Sequence, residues 1–220
     1  MAECRAGALD CCRRAGISSG VESTTGVQRP RAMTDSRSDD ELMLAYASGN
    51  ARAFDALYER YRGPLYRYLF HALRDRSLAD ELFQDVWTRI IDARRRFRKD
   101  TGFKRYAFRI AHNRLVDHWR ALDRRREEAD GGRTESRAGT AESPEAGVER
   151  AQHRSELMQA LGQLSRVQRE AFLLQQEAGL SLAEIAERSG VGRETVKSRL
   201  RYATGKLRTL LKPAPSTSEP

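Results

Sequence analysis

Apolar residues recur at helical spacing along this chain, and residues 39–125 lack the alternating runs that mark strands. The pattern predicts a first helix over 39–48. Ser38 or Asp39 can cap it, acids fill its first turn, and Gly49-Asn50 ends it. A second helix is predicted over 51–73, with Phe54, Leu57, Tyr58, Tyr61, Leu65, Tyr68 and Leu69 on one face. Pro64 is expected to kink or split it near Arg62-Gly63. A third spans 77–96, with Leu78, Leu82, Val86 and Ile90 in a stripe beside Phe83, Trp87 and Ile91. A fourth spans 102–125, with Phe108, Ala111, Leu115, Trp119 and Leu122 inward. Four amphipathic helices of this kind make a small all-α domain.

From 127 to 149 the chain is rich in Gly, Ala, Glu and Arg, holds Pro144, and has almost no large apolar residue. It reads as a flexible acidic linker. Helical spacing returns over 149–164 (Leu157, Ala160, Leu161, Leu164) and over 166–178 (Val167, Ala171, Leu174 inward), closed by Gly179. The sharpest local signal follows in GLSLAEIAERSGVGRETVKSRLRYATGKLRTLL. Ser181 and Glu184 form an S-x-x-E capping box. A short helix over 182–188 stops at Gly190, and a basic helix starts about three residues later and runs to about 211. Leu182, Ile185, Ala186, Val191, Val196, Leu200 and Leu207 are the expected buried contacts. A short helix, a tight Gly turn and a basic second helix make a helix-turn-helix, whose second helix presents Arg193, Thr195, Lys197, Ser198, Arg199, Arg201 and Tyr202. Arg and Lys can reach guanine edges or phosphates, and Ser and Thr can contact either.

Charge sharpens this picture. The 220 residues carry a formal net charge of +9, which points to an acidic partner, either nucleic acid or an anionic membrane face. The charge is segregated: residues 94–126 hold thirteen Lys/Arg against three Asp/Glu, and residues 191–212 hold seven against one. Residues 39–92 and 127–149 are net acidic. Two basic blocks at the ends of two helical regions suit a polyanion gripped at two places. No apolar run approaches the ~20 residues of a membrane span, and the N-terminus lacks the apolar core of a secretory signal, so the expected location is cytoplasmic. Cys4, Cys11 and Cys12 make neither a disulfide framework nor a zinc site. Residues 1–37 read as a disordered extension and 213–220 as a disordered tail. Met33, followed by TDSRSDDEL, reads as the true start, with 1–32 an over-extended gene start.

With these residues in view, the chain resembles an extracytoplasmic-function (ECF) sigma factor of bacterial RNA polymerase, in the sigma-70 family. The segment LADELFQDVWTRI resembles the family's polymerase-clamp-binding helix, FKRYAFRIAHNRLVDHWR its helix that reads and melts the minus-ten element, and EIAERSGVGRETVKSRL its minus-thirty-five reader. The resemblance implies an all-α fold of two small helical domains joined by a flexible linker. A region-two domain would span 38–126 and a region-four helix-turn-helix domain 150–212. Tyr106, Ser165 and Glu194 stand where the family often has Trp, Pro and Gly.

The implied roles follow residue by residue. Asp80, Glu81, Gln84 and Asp85 would face core polymerase. Melting needs aromatics beside cations, because unstacked bases must stack on something while their phosphates are neutralised. Phe103, Lys104, Arg105, Tyr106 and Arg109 supply both, and Asn113 would present its amide to a flipped base. The helix from Arg193 would read the minus-thirty-five duplex. The implied partners are core RNA polymerase, promoter DNA and an anti-sigma factor.

Three rivals stand against this reading. A stand-alone helix-turn-helix regulator would bind duplex DNA tightly by itself. An enzyme is disfavoured: His71, His112, His118 and His153 fall in no ligand motif, and neither a Gly-rich phosphate loop nor a nucleophile elbow is present, so no cofactor or metal is expected. An adaptor or zinc-type anti-sigma protein would carry its cysteines on helices rather than in the tail.

Overall fold

The computed structural model describes residues 35–99, 102–128 and 148–211, with the first four of the last span as backbone only. The cysteines, Met33, the core of the linker and the C-terminal tail lie outside the described residues. Those described form eight α-helices and one 3-10 turn, with no strand among them: α1 (Asp39–Ala47), α2 (Ala51–Leu73), α3 (Arg76–Asp92), the 3-10 turn Arg94–Arg96, α4 (Phe103–Glu128), α5 (Val148–Gly162), α6 (Arg166–Gln176), α7 (Leu182–Ser189) and α8 (Arg193–Leu210).

Capping explains most of these boundaries. Ser38, Ser165 and Ser181 each close a reciprocal capping box, with Glu41, Gln168 and Glu184 respectively. Ser165, one of the departures from the family pattern, thus supplies a side-chain cap that proline could not. The backbone N–H of Ser38 donates to Glu41 at 2.9 Å and holds its carboxyl below the usual range. Asn50 and Asp75 cap α2 and α3.

Three expectations need correction. Pro64 does not split α2, which is continuous from Ala51 to Leu73. Gly63 before it has no Cβ to clash with the proline ring, and Tyr61, Leu65, Tyr68 and Leu69 bury both halves of the helix. The third helix stops at Asp92 instead of reaching 96, and Arg94 donates to the carbonyl of Ile91 at 2.8 Å. Val167, expected inward, is exposed, while Leu173 takes a buried place beside Ala171 and Leu174.

Helices α1–α4 close around an aromatic centre. Trp87 is fully buried and packs edge-on to Phe54 and against Tyr58 and Phe83. Such ring pairs add about 0.5–1.5 kcal/mol each beyond area burial. In the C-terminal half, Ala160, Leu161 and Leu164 pack on Ala203 and Leu207 of α8. Gly190, at φ +63°, caps α7 in the left-handed conformation and makes the turn into α8.

Candidate nucleic-acid interface

Helix α8 owes its exposed basic face to its register. Val196, Leu200, Ala203 and Leu207 are buried, which turns Arg193, Thr195, Lys197, Arg201 and Tyr202 to solvent, with Ser198 and Arg199 half-buried. Tyr202 is 60% exposed, and the Arg201 guanidinium lies over its ring. Glu194 sits 3.5 Å from the Lys197 ammonium. The structure brings all seven predicted residues onto this one helix.

The start of α4 is fixed by α1. Asp40 accepts from the Phe103 N–H at 2.5 Å, and Phe103 itself is 1% exposed, edge-on to Tyr61 and Phe97. Tyr106 is buried against Phe97, its hydroxyl is without a hydrogen-bond partner, and burial pushes that hydroxyl above its ordinary pKa. Neither ring is presented to solvent here: both anchor the first turns of α4. Of the predicted α4 set, Lys104, Arg105, Arg109 and Asn113 are exposed. Phe108 is fully buried and Trp119 only partly, with Arg166 over its ring.

The acidic set on α3 is less open than the sequence implies. Asp85 accepts from Arg114 of α4 and, at 3.1 Å, from Arg89. Asp80 accepts from Tyr66, whose hydroxyl is pushed up to about 12, first by burial and then by that bond. Glu81 and Gln84 remain exposed.

Sequence reasoning missed a polar seam joining α2 and α4 to α6 and α7. Arg67 donates to Glu177 at 2.9 Å, and His71 lies 3.8 Å from the same carboxyl. His112 and Glu170, both buried, approach to 2.7 Å, an ion-pair distance without hydrogen-bond alignment. Arg169 donates to Leu161 and Leu164 in its own half and to the Ala72 carbonyl across the seam; burial lowers its pKa to about 10. Arg166 grips Asp123 with both terminal nitrogens. The available signal was polar residues standing in apolar register: His112 between Phe108 and Leu115, and Glu170 one turn before Leu173 and Leu174.

Comparison with known proteins agrees with this architecture. Residues 57–125 match the Sigma-70 region 2 family model, and residues 154–207 match the Sigma-70, region 4 model. The chain is 30% identical over 185 residues to the ECF RNA polymerase sigma factor SigK of Mycobacterium sp. (strain KMS), covering 81% of this chain and 91% of that one. It is 30% identical to the ECF RNA polymerase sigma factor BldN of Streptomyces coelicolor over 92% of this chain and 76% of BldN. Among solved structures it is similar to CnrH in complex with the cytosolic domain of CnrY, with a TM-score of 0.55 and 26% identity over 79% of this chain and 96% of that one. The sigma factor RpoE of Bartonella quintana, solved with the anti-sigma factor NepR, shares the fold at a TM-score of 0.59 and 24% identity over 72% of this chain and 96% of that chain. Two matched regions in order, a helix-turn-helix and full-length relatives lead to one assignment: the chain belongs to the ECF sigma factors of the sigma-70 family, which direct bacterial core RNA polymerase to promoters.

Proposed function

We propose a division of labour within this sigma factor. Helix α8 reads the minus-thirty-five duplex through Arg193, Thr195, Lys197, Ser198, Arg199, Arg201 and Tyr202. Helix α4 takes the minus-ten strand with Lys104, Arg105 and Arg109 on phosphates and Asn113 on a base, while Phe103 and Tyr106 hold the helix in place. Helix α3 meets core polymerase through Glu81 and Gln84, flanked by Asp80 and Asp85. The halves correspond to region two over 38–126 and region four over 150–212, with 127–149 as their tether.

The observation that carries this reading is the outward face of α8: cations and hydroxyls repeat along it opposite a buried Val196–Leu200–Ala203 stripe, which suits a helix laid in a major groove. Its role is that of a non-catalytic, cytoplasmic initiation factor; no described helix is long and apolar enough to cross a membrane. An anti-sigma factor is the further partner, as in the solved complex of RpoE with NepR. Run-off transcription with purified core polymerase on a promoter library tests the whole reading, paired with gel shifts with and without core. Start-site-specific transcripts and core-dependent shifts are expected. Tight duplex binding without core, and no transcripts with it, would instead favour the stand-alone regulator.

A further inference from the structure

The outward face of α8 is not wholly basic. Glu194 stands in its first turn, with 83% of its side chain exposed. Helical spacing puts Glu194, Ser198 and Arg201 on one face, opposite the buried Val196, Leu200, Ala203 and Leu207. The carboxylate thus heads the stripe that the proposed function lays in the major groove. It cannot be turned from DNA without turning Ser198 and Arg201 away as well. The Lys197 ammonium, one turn on, lies 3.5 Å from it and offsets part of its repulsion by phosphates. The helix dipole favours an acid at any position of the first turn, so it does not account for one on the side that faces a polyanion.

A carboxylate pressed against a duplex is costly unless it meets a hydrogen-bond donor. The major groove offers two, the N6 amine of adenine and the N4 amine of cytosine. Adenine sets its N7 acceptor beside that amine and so repels a carboxylate, whereas cytosine presents its amine alone. The N-terminal residues of a recognition helix are the ones that reach base edges. We propose that Glu194 is a specificity-determining residue for the minus-thirty-five element: its carboxylate accepts from the N4 amine of a cytosine and disfavours the other three bases at that position. This rests on reading α8 as the minus-thirty-five helix. The acid acts by exclusion as much as by attraction. Opposite thymine or guanine it faces acceptors alone, and its repulsion by the duplex is left without return. The cations around it hold the duplex whatever its sequence.

Base preference tests this directly. Holoenzyme assembled from core polymerase and the full chain selects from promoters with a randomised minus-thirty-five element, and the DNA is sequenced before and after selection. Wild type is expected to select cytosine at one base pair. Glu194→Ala is expected to lower that preference about tenfold, chiefly by tightening binding to the other three bases, with the rest of the element unchanged. Glu194→Gln is expected to move the preference at that base pair to adenine, because a glutamine amide pairs with N6 and N7 together. Glu194 is exposed, so neither variant disturbs the core of the fold. A helix-dipole role alone would lower the melting temperature of Glu194→Ala and move no base preference. The same selection in wild type and Glu194→Ala, or a selected element without that cytosine, overturns the assignment of Glu194 alone. Failure of wild-type holoenzyme to select any minus-thirty-five sequence overturns the reading of α8 on which it rests.

Discussion

Asp85 of α3 is bound by Arg114 of α4, across the packing interface of two helices expected to serve different partners. Arg114 also approaches Asp117 at 3.5 Å, and Arg89 reaches Asp85 from one turn along α3. An acid bound in this way braces the domain and is only partly free for core polymerase. Half-exposed ion pairs are worth about 1 kcal/mol or less. Asp85→Ala is therefore expected to lower the urea midpoint slightly, whereas Glu81→Lys should leave the midpoint alone and weaken core binding severalfold. Equilibrium unfolding beside binding to immobilised core enzyme separates the two effects.

Asn113 is exposed two turns beyond Lys104 and Arg105. Its amide carries both donors and an acceptor, which suits the edge of a base already out of the stack. Asn113→Ala is expected to leave duplex promoter binding by holoenzyme within about twofold while reducing opening by ~1 kcal/mol or more, the worth of a lost base contact. Permanganate reactivity of promoter thymines measures opening directly. Normal reactivity in the variant would remove Asn113 from the minus-ten site.

Lys197 is exposed near the N-terminus of α8, close to Glu194. A phosphate-contacting lysine contributes affinity without sequence preference and about one unit of salt slope. Lys197→Ala should weaken minus-thirty-five binding evenly across promoter sequences, reduce the salt dependence, and leave core binding unchanged. Titrations of holoenzyme at several salt concentrations check this.

The helices and the two basic faces were legible in the sequence because they depend on local periodicity and caps. Ser181–Glu184, Gly190 and the Val196–Leu200 register place α8 without any tertiary information. The seam was not legible. His112 and Glu170 lie on separate helices, and nothing in the spacing of either pairs them. The burial of the α4 aromatics was not legible for a related reason: Phe103 and Tyr106 beside cations look like a stacking platform, yet Asp40, Tyr61 and Phe97 from elsewhere in the chain draw that turn inward.

Gly190 makes the helix-turn-helix corner at φ +63°, and a Cβ there would meet nothing within 4 Å. The cost of a side chain is then conformational alone, about 1–2 kcal/mol for an ordinary L residue in the left-handed region. Gly190→Ala is expected to lower stability by that amount and to weaken minus-thirty-five binding through misplacement of α8. Gly190→Asn should recover most of both, because asparagine tolerates this conformation. Thermal unfolding with holoenzyme binding distinguishes this from a steric effect, under which Asn would be the worse of the two.

His71 gives the fold a pH dependence of definite sign. Burial lowers its pKa to about 4, and Arg67 and Arg154 push the same way, while Glu177 faces it at 3.8 Å. The unfolded chain, with an ordinary histidine near 6.5, therefore takes up a proton first as the solution is acidified. The stability this residue contributes is fully present above about pH 6.5 and is lost as pH falls toward about 4, by roughly 3 kcal/mol at most. His118 is also lowered, chiefly by burial, and adds to the same trend. His71→Gln has no proton to gain, so its urea midpoint should fall less than that of wild type between about pH 7 and about pH 5. His118→Gln should flatten the profile only slightly. Parallel profiles for His71→Gln and wild type would mean that Glu177 compensates the charge in place, and that His71 enters the seam already able to carry a proton.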